Sequence, residues 1–180
     1  MKPAKKTFRK INNFAFIDSQ NLNLGIRSQG WKLDFARFRI YLKDKYKVTK
    51  AFLFIGYMPK YKTIYQHLTK SGYILIFKPV LESKNKHTPV KGNVDAELVL
   101  HTMIEFPKYD KAIIASGDGD FHCLIEYLLK KKKLFRIIIP NKKKYSALLR
   151  KFIKHIDFLS GLKEKLSIKK TRGINLRTKP

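Results

Sequence analysis

The chain has 180 residues, enough for one domain with a core of its own and too few for two of ordinary size. Lys and Arg number 40 against 13 Asp and Glu, and the net charge of +27 points to a polyanionic partner, nucleic acid ahead of an anionic membrane surface. No stretch approaches the ~20 apolar residues of a membrane helix, no apolar signal core follows the charged start MKPAKKTFRK, and Cys123, the one cysteine, lacks any zinc-ligand spacing and can form no internal disulfide; these features exclude a membrane span and a secreted disulfide scaffold and fit a reducing cytoplasm.

Residues 1–10 read as a flexible basic arm. Asn13 to Ile17, NFAFI, is apolar nearly throughout, as in a strand buried on both faces, and ends in Asp18. A short helix through Asn21 and Leu22 follows and closes at Gly30, and Asp34 is placed to cap a helix carrying Phe35, Phe38 and Leu42. The second strand runs from Ala51 to Tyr57 and stops at Pro59, a helix extends to about Lys70 and ends before Gly72, and Tyr73 to Phe77 is the third strand. Pro79 to Gly92 is the longest irregular connection, of a length that marks a functional or mobile loop. Asn93 caps an apolar helix from Val94 to Phe106, with Pro107 beyond it.

Ala112 to Ala115 is the fourth strand and runs straight into Ser116-Gly117-Asp118-Gly119-Asp120, where the two glycines permit a tight turn and the approach of a ligand. The helix of Phe121, Leu124, Ile125 and Leu128 comes next, then the fifth strand, Leu134 to Ile139. Two helical patterns, Tyr145 to Ile153 and Phe158 to Leu166, pack on the outside, and residues 167–180 form a basic, disordered tail. Apolar strands alternating with helices predict a single α/β domain over residues 11–166, a parallel sheet covered on both faces.

Asp18, Asp95, Asp118 and Asp120 all fall where elements begin or end. Taken singly, each is ordinary turn or capping chemistry. Parallel strands bring their ends to one edge, so strands one and four, if neighbours, converge these acids in one cleft, a hard oxygen cluster suited to Mg2+ or Mn2+. Basic segments leave the same edge: Arg27, Lys78, Lys84, Lys86, Lys91 and Lys142 to Lys144 form a positive rim, while Lys130 to Lys133 enter the fifth strand at the opposite edge as a solvated run. His122 reads as solvent-facing beside the acids, and Tyr57, Tyr61 and Trp31 read as core aromatics, with base stacking as their alternative.

FIDSQNL at Phe16 to Leu22, KGNVD at Lys91 to Asp95 and SGDGDF at Ser116 to Phe121 together resemble the NYN domain, the LabA-like branch of the PIN-like nuclease superfamily. The resemblance covers about Asn12 to Leu159. It implies a three-layer α/β/α fold with a five-stranded parallel sheet of order 3-2-1-4-5, and a metal-dependent ribonuclease site at the carboxyl ends of strands one and four. By position, Asp18, Asp95, Asp118 and Asp120 match the metal-binding carboxylates, Asn21 and Ser116 the residues that orient them, and Lys91 a substrate contact. His101 stands where many relatives carry a further acid.

The expected activity is hydrolysis of RNA phosphodiester bonds with Mg2+ or Mn2+. A non-catalytic RNA-binding module of the same fold is the alternative, and His101 is its support in the sequence. A glycosyltransferase reading of Asp118-Gly119-Asp120 conflicts with three motifs spread over the domain, and the turn after strand one lacks the glycines of a dinucleotide-binding fold.

Overall fold

The computed structural model describes residues 11–78 and 94–169. The expected basic arm, Lys84, Lys86, Lys91, the Asn93 cap and residues 170–180 of the tail lie outside the described residues. Six parallel strands form one sheet of order β3-β2-β1-β4-β5-β6. They are β1 Asn13–Asp18, β2 Val48–Gly56, β3 Tyr73–Lys78, β4 Ala112–Ala115, β5 Leu134–Ile139 and β6 Ile156–Phe158. The helices are α1 Ser19–Arg27, α2 Phe35–Tyr46, α3 Lys62–Lys70, α4 Val94–Ile104, α5 His122–Lys130 and the single turn α6 Lys163–Leu166. No helix among the described residues is long and apolar enough to cross a membrane.

The central strand shows why the sheet is closed on both sides. Every residue of β1 is buried, and alternate side chains enter different layers. Ala15 and Ile17 join the cluster of Leu22, Phe38, Leu42 and Leu68 from α1, α2 and α3. Phe14 and Phe16 join Leu98, Leu124, Ile125 and Leu128 from α4 and α5. Each such side chain contributes roughly 1.5–3 kcal/mol on leaving water, so a polar face on this strand would be a net loss. Trp31, 7% exposed, belongs to the first cluster and is core, not a stacking surface.

The expected order of five strands holds, with one strand added at the edge. Phe158, read as the start of a helix to Leu166, instead ends a strand, Ile156-Asp157-Phe158, that pairs with Ile137 to Ile139 of β5. Three residues are too few to display a period of two, and an acid at the centre disguises the strand further. That acid has a structural use: Asp157 accepts from the Tyr46 hydroxyl at 2.7 Å and sits 3.2 Å from the Lys45 ammonium, tying β6 to the end of α2. Ahead of it, Ala147–His155 forms a 3-10 segment broken at Phe152 in place of an α-helix.

Other boundaries moved for local reasons. Ser167 bridges Leu33, and Ile168 N–H donates to the Lys32 carbonyl at 3.2 Å, so the ordered fold runs past Leu166. The lysine run at the entry of β5 is not simply solvated. Lys133 donates to the carbonyls of Phe106 and Tyr109, and its ammonium lies 5.1 and 5.0 Å from their ring centroids.

Candidate active site

Because β1 and β4 are parallel neighbours, with Ile17 opposite Ala115, they end side by side and the residues that follow them meet. Asp18, the last residue of β1, is only 5% exposed. Its Oδ1 accepts from Asn21 N–H at 3.0 Å, which caps α1, and its Oδ2 accepts from the Ser116 hydroxyl at 3.3 Å. Ser116 Oγ in turn accepts from Asp118 N–H at 3.2 Å, while the Asn21 side-chain oxygen accepts from Gly117 N–H at 2.8 Å. Two strand exits are thereby stitched into one unit. Asp118 Oδ1 accepts from Asp120 N–H at 3.1 Å and caps the 3-10 turn Gly119–Phe121 that leads into α5.

Asp18 and Asp118 are therefore both capping residues, and Ser116 links the two. Burial raises the pKa of Asp18, opposed by the hydrogen bonds from Asn21 and Ser116, and the charge of Asp118 raises it further. Asp95, in the first turn of α4, is raised by partial desolvation and then by the charges of Asp118, Asp18 and Asp120. Lys78 acts on Asp95 in the opposite sense. The charges of Asp118, Asp18 and Asp120 thus all act on Asp95.

Among the described residues, Asp18, Asp118 and Asp120 form no ion pair, although lysines and arginines outnumber acids threefold. No three acid, histidine or cysteine side chains among the described residues are gathered closely enough to hold a metal ion as they stand. The donor chemistry of these side chains, carboxylate oxygen alone, is that of a hard divalent cation.

The remaining expected residues flank this centre. Lys78 ends β3 and is half-buried. Arg27 is exposed at the end of α1, where Gly25 of the helix and Gln29 of the turn after it approach Pro140 beyond β5. Lys142 is exposed on that same side, its ammonium 5.8 Å from the Phe158 ring centroid. Lys91 lies outside the described residues. His101 packs against Phe54 with centroids 5.7 Å apart, and its Nε2 is 4.0 Å from Glu97. Phe54 is the register partner of Asp18 on β2.

One expectation changes. Gly119 leaves no clearance for a ligand: a Cβ there would lie 2.2 Å from Ser146 Oγ and 2.9 Å from Ser146 Cβ. The segment after β5 fills that space, and Ser146 N–H donates to the Gly117 carbonyl at 3.0 Å. Tyr145 and Ser146 were invisible in the sequence as site residues, since nothing local marks a contact made across the sheet edge. His122 is half-buried beside the acids. Its Nδ1 lies 3.0 Å from the Gly119 carbonyl oxygen, which can only accept, so Nδ1 carries the proton, and Nε2 lies 3.2 Å from the Cys123 thiol.

A family model for the NYN domain matches residues 14–160. Over 139 residues the chain is 26% identical to the low amplitude and bright protein LabA of Synechococcus elongatus, an alignment covering 73% of this chain and 75% of that protein. The crystal structure of a protein of unknown function from Vibrio parahaemolyticus superposes with a TM-score of 0.66 at 22% identity, covering 88% of this chain and 94% of the other, and shares the fold. The match spans the sheet from β1 to β6 and every described acid at its carboxyl edge, and the chain accordingly belongs to the NYN domain family, of the LabA-like, PIN-like type.

Proposed function

We propose that the protein is a metal-dependent ribonuclease that hydrolyses RNA phosphodiester bonds at Asp18, Asp95, Asp118 and Asp120. The observation that carries this reading is that the charges of Asp118, Asp18 and Asp120 all act on Asp95, those three without an ion pair among the described residues of a chain of charge +27. Membership of the NYN family supports it. A Mg2+ or Mn2+ ion held by these carboxylates supplies positive charge against the phosphodiester and lowers the pKa of bound water toward neutrality.

The chain's own residues have distinct tasks. Asp18, fixed through both oxygens by Asn21 and Ser116, presents a carboxylate in a set direction. Asp118 spends one oxygen on its cap, Asp95 approaches from the first turn of α4, and Asp120 is exposed at the rim. Lys78 on the β3 side, with Arg27 and Lys142 on the β5 side, meets backbone phosphates, and Lys91 is assigned the same task from its place in KGNVD. The exposed free thiol of Cys123 suits a reducing cytoplasm.

The test is cleavage of end-labelled single-stranded RNA. Wild type is expected to cut with Mn2+ or Mg2+ and to stop in EDTA, and Asp118→Asn to lose more than the ~10–100-fold that removal of an outer-shell partner costs. Equal cutting by both proteins would refute the assignment. One observation favours a second reading, an RNA-binding module that does not cut: no three ligating side chains are gathered among the described residues. RNA binding without cleavage under any metal would select it.

A further inference from the structure

The edge of the sheet farthest from β6 carries a surface that the acid cluster does not use. Between Asp44 and Glu82 the sequence contains no Asp or Glu, while Lys60, Lys62, Lys70 and Lys78 fall on α3, β3 and the turn before them. Where β2 and β3 reach the carboxyl edge, Tyr57 and Phe77 are 49% and 42% exposed, with ring centroids 5.4 Å apart and planes at 86°. Tyr65 supports both: it lies 5.8 Å from Tyr57 at 24° and 4.9 Å from Phe77 at 74°. Its hydroxyl accepts from Met58 N–H at 2.8 Å and donates to the Gly56 carbonyl at 3.0 Å, which fixes the turn that carries Tyr57.

One face of Tyr57 is thus covered and held, and about half its surface stays open. From Phe77 an open groove of about 780 Å³ continues along the α3–β3 edge, with Lys62, Gln66 and Lys70 among its lining. Exposed aromatic rings on a stretch of chain rich in lysine and without Asp or Glu match an unpaired nucleic-acid strand, whose bases offer ring faces and whose backbone offers phosphates. A duplex buries those faces in its own stack. An acidic peptide satisfies the lysines but leaves the rings uncovered.

We propose that Tyr57 and Phe77 form a base-stacking platform for a single RNA strand that reaches the site from the β3 side. The identification of the polymer as RNA rests on the ribonuclease reading above. The route crosses the carboxyl edge of the sheet: Phe77 faces α3, while Lys78, the next residue, alternates to the other face, pairs in register with Gly56 and acts on Asp95 of α4. β3 is two strand spacings, roughly 10 Å, from β1, the strand that ends in Asp18.

Binding in EDTA, where no hydrolysis occurs, tests this. Fluorescence anisotropy would compare a short labelled RNA strand, the same strand with abasic positions, its duplex, and a polyglutamate peptide. Tyr57→Ala and Phe77→Ala are expected to weaken binding of the intact strand at least about fivefold, the lower bound for one stacked base. Tyr57→Trp should retain it, and the abasic strand and the duplex should bind weakly and respond little to Tyr57→Ala. Both side chains are half exposed, so truncation should leave the melting temperature in place, and Tyr57→Trp keeps a ring at the position if it does not. Unchanged binding by both alanine variants, equal affinity for the abasic strand or the duplex, a peptide that depends on Tyr57 in the same way, or no binding of RNA at all would overturn the proposal. The two readings separate cleanly. Cleavage with no effect of Tyr57→Ala refutes the platform alone, and base-dependent binding with no cleavage refutes the ribonuclease alone.

Discussion

Asp18 concentrates the chemistry of the site in one side chain. It is buried, it accepts two hydrogen bonds, and it faces the charge of Asp118, with desolvation as the largest influence on its pKa. The folded pKa lies above the ordinary 3.8, so between those two values the folded protein keeps a proton that the unfolded chain has released. Stability contributed by this group is therefore full at low pH, falls as pH rises through that window, and stays reduced at neutrality. Asp18→Asn is expected to raise the melting temperature of the metal-free protein at neutral pH, with the advantage shrinking as pH is lowered toward 3.8. Thermal melting in EDTA across pH checks this, and a variant less stable at neutral pH would show that the carboxylate is already well compensated. The acid itself was legible because a lone Asp at the end of an apolar run has few neighbours to pair with. Its partners were legible only in part: Asn21 and Ser116 stand close to acids in sequence, whereas Tyr145 and Ser146 reach the turn from across the sheet edge.

At the level of elements, the turn after β4 decides where Asp118 and Asp120 stand, and close packing against Ser146 decides the turn. Gly119→Ala places a methyl where Ser146 already is, an overpacking change expected to cost about 1–3 kcal/mol in urea unfolding. Ser146→Gly in the same chain should recover part of that loss, since it removes the atoms that are struck. Additive losses in the double variant would mean the turn gives way elsewhere. The glycine was visible in the sequence, but its reason was not, because a tight turn and a tight contact call for the same residue. Strands β1 to β5 were legible because each is an apolar run closed by an acid, glycine or proline, or by a break in pattern. Strand β6 was not: its three residues sit between patterns that read as helical, and only its ladder with β5 and the Tyr46–Asp157 bond give it away.

For the whole molecule, the parallel sheet follows from the apolar strands, while the order of the strands came only with the resemblance to the NYN domain, since pattern alone does not say which strands are neighbours. That order is what brings β1 beside β4 and links Asp18 through Ser116 to the turn of Asp118. The charge of +27 sets the manner of binding. RNA affinity is expected to fall linearly on a log–log plot against salt, with a slope of about −0.7 per phosphate neutralised, and Lys78→Ala and Lys142→Ala should each flatten it by about that amount. A slope indifferent to both would move the backbone contacts away from the acidic edge. The central claim is that this edge holds a divalent cation, and titration calorimetry of Mn2+ into the metal-free protein measures it directly. The account predicts a saturable site in the wild type that disappears when Asp18→Asn and Asp118→Asn are combined; no saturable binding, or binding unchanged by that pair, would contradict it.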